Sequence, residues 1–88
     1  MSAQTAIGKL NEVKALLDPY KSMGGEQLEE VLKNIDKVIE KLASPTKENV
    51  GEAKKIVTEM SDMFEGYRSY VPDVADKILE AKAELEKL

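Results

Sequence analysis

Apolar residues recur along this chain at steps of three and four, the spacing that lines one face of an α-helix. Ala3, Ile7, Leu10, Val13, Leu17 and Tyr20 form a first stripe. Leu28, Val31, Leu32, Ile35, Val38, Ile39 and Leu42 form a second. Val50, Ala53, Val57, Met60, Phe64, Tyr67 and Val71 form a third, with strict three–four alternation, a heptad rhythm. Ile56, Met63 and Tyr70 widen that stripe to one side. Val74, Ala75, Ile78, Leu79, Ala81, Leu85 and Leu88 form a fourth. No stretch alternates at the two-residue period of a strand.

The breaks between stripes carry turn chemistry. Ser2 has the character of an N-cap for the first helix. Pro19 lacks a backbone donor, so that helix ends or kinks near Leu17–Asp18, with a short extra turn through Tyr20. Gly24-Gly25 closes the segment, and a second helix runs from about Glu26 to Ala43. Glu26, Glu29 and Glu30 near its start and Lys41 near its end suit the helix dipole, and Glu29 and Lys33 stand at pairing distance. Ser44-Pro45 reads as the cap and first residue of a third helix. Val71-Pro72-Asp73 separates the third helix from the fourth. Gly51 and Gly66 weaken the third helix, and Gly66 marks a bend or a close helix contact.

Helices of about 20, 18, 25 and 16 residues joined this closely pack antiparallel to their neighbours. The expected fold is all-α: one domain over residues 1–88, an up-down-up-down four-helix bundle. The alternative is a three-helix bundle whose last two segments merge into one long kinked helix. With 88 residues and no cysteine, the chain has no disulfide staple and must use its apolar residues efficiently or self-associate.

Composition narrows the function mostly by exclusion. Histidine, cysteine and tryptophan are absent. The commonest acid–base residue near neutral pH, the thiol nucleophile and the two commonest soft metal ligands go with them. The serines 2, 22, 44, 61 and 69 have no histidine to activate them. The glycine pair lies between helices, not in the glycine-rich loop after a strand that cradles phosphate. Acyl carrier proteins carry their group on a serine that follows an aspartate; Met60-Ser61-Asp62-Met63 reverses that order. The glutamates 80, 84 and 86 read as a solvated face, as do Lys33, Lys37 and Lys41 with Asp36 and Glu40 between them. No cofactor, metal or catalytic residue is expected.

Seventeen acidic against thirteen basic residues leave a net charge of −4, which argues against nucleic acid as a partner. No apolar run reaches the roughly 20 residues of a membrane span, and no signal peptide is visible. A cytoplasmic location is expected, with leaderless export left open.

One local feature stands out. The chain has four aromatic residues, and Phe64, Tyr67 and Tyr70 fall within seven positions that also hold the sole arginine, Arg68. In an up-down-up-down bundle this segment shares a pole with Tyr20 and Met23. Protein interfaces are enriched in tyrosine, methionine and arginine. Phe64 and Tyr67 are in phase with the core; Arg68 and Tyr70 are not. The expected partner-binding set is Tyr20, Met23, Met63, Tyr67, Arg68 and Tyr70. The function that follows is a small acidic, non-enzymatic protein-interaction module of adaptor, inhibitor or immunity type. A self-associating homodimer and a carrier of apolar ligands are the alternatives.

Overall fold

The computed structural model describes residues 2–88, the side chain of Ser2 excepted, so the Ser2 cap lies outside what is described. Four α-helices follow one another: α1 (Ser2–Leu17), α2 (Gly25–Ala43), α3 (Lys47–Glu65) and α4 (Pro72–Glu86). A single 3-10 turn, Asp18–Tyr20, extends α1 past Pro19. Among the described residues there is no strand.

The helices form a ring in chain order. α1 packs on α2 and α4, and α3 on α2 and α4; the two diagonal pairs make no close backbone approach among the described residues. Cross-helix ion pairs fix the register. Lys9 pairs with Glu80 at 2.8 Å and Glu12 with Lys77 at 3.2 Å, so α1 and α4 run in opposite directions. Lys41 meets Glu52 at 2.8 Å near one end of the α2–α3 seam, and Gln27 meets Met63 near the other. Lys14 reaches Asp36 at 2.6 Å across the α1–α2 seam. The molecule measures 35 × 20 × 18 Å, a length set by helices of about 28 Å.

Each stripe supplies one side of a common core. Leu10, Val13, Ile35, Val38, Val57, Ile78, Ala81 and Leu85 are fully buried within it. Burial follows the hydrophobic spacing through α2 and through α3 as far as Phe64. Burying a Leu, Ile or Val side chain contributes about 1.5–3 kcal/mol, so these residues carry most of the stability. Ser61 is the one buried polar residue among those described.

The junctions differ from the sequence reading in three places. Ser44 ends α2, its N–H donating to the Lys41 carbonyl, while Thr46 caps α3 by accepting from the Asn49 backbone N–H at 3.1 Å. The Asn49 side chain returns a bond to the Ser44 carbonyl at 2.8 Å, which fixes the turn without Pro45 entering the helix. The third helix stops at Glu65 and not near Tyr70. Residues 66–71 instead pass through successive turns, with Val71 held out of the helical region ahead of Pro72. This break keeps α3 and α4 apart, and four helices rather than three result. Gly66 closes α3 with ordinary right-handed backbone, so glycine's special freedom is not what ends that helix.

The charged faces are also less free than their spacing implies. Asp36 and Lys41 tie α2 to α1 and α3, and Glu80 and Glu84 both form ion pairs. The Glu29–Lys33 pair is not formed among the described residues.

Candidate functional site

The end of α1, the start of α2, the end of α3 and the start of α4 meet at one pole. Two connections shape it. The first turns through Gly24 and Gly25. Gly25 has φ +60°, a left-handed conformation that favours glycine. A Cβ on Gly24 would lie 2.3 Å from the Leu28 Cβ, so only glycine lets the chain enter α2 this tightly. The turn projects Met23, 73% exposed, away from the core.

The second connection, 66–71, is held by Arg68. Its Nε and Nη2 donate to the two carboxylate oxygens of Glu65 at 3.0 and 2.6 Å, and its Nη1 donates to Asp76 at 2.5 Å. The guanidinium thus joins the last turn of α3 to the first turns of α4. Hydrogen bonding from Arg68 holds the Glu65 carboxyl below its ordinary range, and the two carboxylates hold Arg68 firmly protonated. Elsewhere on the ring, Lys41 lowers Glu52, Lys9 lowers Glu80, and Glu80 in turn raises Lys9.

Between these two connections lies an open apolar cleft of about 270 Å³. Leu17, Leu28, Val31 and Phe64 form its floor, and Tyr20, Met23, Met63 and Tyr67 its walls. Besides the two tyrosines, Gln27 is the one polar side chain among its lining residues; its Nε2 lies 3.9 Å from the Met63 sulfur. Phe64 is buried and meets Tyr67 edge-on, with ring centroids 6.4 Å apart. Tyr67 is 43% exposed, because the helix that would have carried it into the core ends two residues earlier.

Four of the six residues singled out in the sequence therefore share this cleft: Tyr20, Met23, Met63 and Tyr67. Tyr70, 80% exposed, lines a smaller adjoining groove with Leu16, Tyr20, Val71 and Pro72. Arg68 lines neither; its guanidinium is committed to Glu65 and Asp76. Periodicity alone assigned Leu28, Val31 and Phe64 to the core and gave no hint that one edge of each faces an opening. The stripe pattern gives no role to Gln27, although a glutamine two residues after the glycine pair and beside the α2 stripe is the available signal.

Apart from Tyr20, Tyr67 and Gln27, the residues that line the cleft are apolar or glycine. Among the described residues, no three Asp or Glu side chains converge to hold a metal ion. No described helix is long and apolar enough to cross a membrane. What the cleft can do chemically is exclude water from an apolar surface placed against it. Compared with known proteins, the chain matches no family model, no curated protein and no solved structure.

Proposed function

We propose that this chain is a small, non-enzymatic protein-interaction module, of adaptor, inhibitor or immunity type, that binds a protein partner at the aromatic pole. The observation that carries this reading is the open apolar cleft walled by exposed tyrosine and methionine side chains. Tyrosine offers a large area with little rotamer entropy to lose, and methionine adapts its shape to what it meets. Arg68 acts here as a positioning residue that sets the 66–71 turn.

Self-association has less support. The heptad rhythm of α3, its main argument, is absorbed within the chain, since Val50, Ala53, Val57, Met60 and Phe64 all point into the molecule's own core. A carrier role lacks an enclosed site, since the cleft is open to solvent.

A photoreactive phenylalanine analogue placed at Met23 tests the reading in the native host, with the same group at Gln4 near the opposite pole as control. A discrete cross-linked protein adduct from position 23 and not from position 4 is expected. Adducts of equal yield from both positions, or none from position 23, would remove the reading.

A further inference from the structure

The cleft does not end at the pole. A second groove, of about 250 Å³, follows the α2–α3 seam and is lined by Ile56, Met60, Glu30 and Glu59 among others. It shares Gln27, Val31 and Met63 with the first, so the two adjoin, with the Gln27–Met63 contact between them. From Gly24 to Asn34 along α2 the combined groove is about 15 Å long, close to three turns of a helix laid in it.

The charge around this groove is one-sided. Residues 18–30 and 59–77, which build the pole, hold nine acidic and three basic side chains, whereas the rest of the chain holds eight acidic and ten basic. Two of those three bases, Arg68 and Lys77, are already paired with carboxylates. Glu30 and Glu59 line the groove on its α2 and α3 sides, and Glu26 and Asp62 stand one helical step from them toward the pole. None of these four forms an ion pair among the described residues. Lys55 stands one turn from Glu59 at the end away from the pole, and Lys33 lines the groove on the α1–α2 side beside Lys14 and Asp36.

We infer that the partner presents a basic amphipathic helix, its apolar stripe in the groove and its lysines or arginines over the acidic flanks at the pole. An apolar, methionine-lined groove of this length takes side chains spaced i, i+3/i+4 and i+7 from one helix face. Unpaired carboxylates on both sides select positive charge on the flanks of that helix and speed its approach. The same carboxylates disfavour a second copy docked through this face, because a two-fold contact sets acid against acid. They also disfavour an anionic lipid surface.

This inference rests on the docking reading above and adds the chemistry of the partner. Three helical peptides of about 18 residues test it, each with the same leucine stripe and with lysine, glutamine or glutamate on the polar face. Binding is followed by calorimetry and by the methyl NMR signals of Met23 and Met63. The lysine peptide is expected to bind at least about tenfold more tightly than the glutamine peptide at low salt. Both methionine signals should shift, and the preference should shrink near about 0.15 M salt. Replacing Glu26, Glu30, Glu59 and Asp62 by glutamine should abolish the preference while leaving the fold's circular dichroism unchanged. Equal binding of the lysine and glutamine peptides with shifted methionines would overturn the charge selection and leave the docking pole standing. Binding by no peptide, binding that leaves both methionine signals unmoved, or dimerisation through the groove before peptide is added would also overturn the inference. The cross-link at position 23 then decides separately whether the pole docks a protein at all.

Discussion

At one end of the bundle the chain passes from α2 to α3 through Ser44, Pro45 and Thr46, and a side-chain cap with a returning asparagine bond closes the turn. At the other end, residues 21–24 and 66–71 make longer turns, and tyrosine and methionine side chains stand out from them. The short turn satisfies its backbone locally, and the groove beside it is edged by lysines 47, 54 and 87 together with Leu42, Val50 and Leu88. The longer turns leave the ends of α1 and α3 apart, and a cleft opens between them. The contrast shows how a ring of near-equivalent helices acquires a direction. Core packing is shared by both halves, while loop length and turn chemistry decide what edges the opening at each pole: lysines beside Leu42, Val50 and Leu88 at one, tyrosine and methionine at the other. Charge follows the same division, with the net negative charge gathered at the open pole.

The largest test of that contrast is Phe64→Ala. Phe64 is 6% exposed and forms both core and cleft floor, so its loss should cost about 3–5 kcal/mol in urea unfolding. At the Ser44–Thr46 pole, Leu88→Ala at an exposed position should change stability by less than about 0.5 kcal/mol. Equal losses at the two ends would mean that Phe64 is a surface residue and that the cleft floor is wrongly placed.

Next in size is Gly24→Ala. The added Cβ would press on the Leu28 side chain at its root, where it cannot swing aside. A loss of about 1–3 kcal/mol is expected in thermal unfolding, together with weaker docking, because Leu28 lines the cleft. At the Ser44–Thr46 pole the sign reverses. Gly51 lies in α3 with nothing within 4 Å of its missing Cβ, so Gly51→Ala should stabilise by up to about 1 kcal/mol. A destabilised Gly51→Ala would show that this glycine has a contact at its own pole.

Much of this was legible before any coordinates. The α2 stripe appears in the structure almost residue for residue, because its polar and apolar positions separate cleanly and no proline interrupts it. The four helices and the shared pole of Tyr20, Met23, Met63 and Tyr67 also followed from the turn signals and the short connections. The end of α3 did not. Apolar spacing continues through Tyr67 to Val71, so periodicity carries the helix onward. The turn that follows is shaped by the restriction Pro72 places on Val71 and by the Arg68 bond to Asp76, which joins residues that no local pattern relates. Thr46 was passed over as a cap because Ser44-Pro45 has a similar signature two residues earlier. The cleft was invisible for a related reason: the stripe pattern separates inside from outside, but an opening depends on how far apart two helix ends come to rest.

The smallest predicted effect concerns the Arg68 clamp, which sharpens the comparison through pH. Hydrogen bonding from Arg68 lowers the Glu65 pKa from its ordinary value of 4.5, so the folded state favours the ionised carboxylate. Such a group adds stability above its unfolded pKa, and the contribution fades as pH falls through the lowered folded value. Glu52 and Glu80 are lowered by lysines on other seams, so the bundle should lose thermal stability as the medium is acidified below 4.5. Arg68→Gln removes one of these contributions and leaves the lysine pairs intact. The variant should start lower in melting temperature at neutral pH and approach the parent as pH falls toward 3. A carboxyl NMR titration should show Glu65 moving back up toward 4.5 while Glu52 and Glu80 stay where they were. The effect is small because the clamp is partly exposed and water screens it. Its location gives it weight, since it holds the one long turn on which Tyr67 and Tyr70 stand. An Arg68→Gln protein with an unchanged acid profile would mean that the 66–71 turn is set by Pro72 alone, and that the open pole owes its shape to backbone restriction rather than to charge.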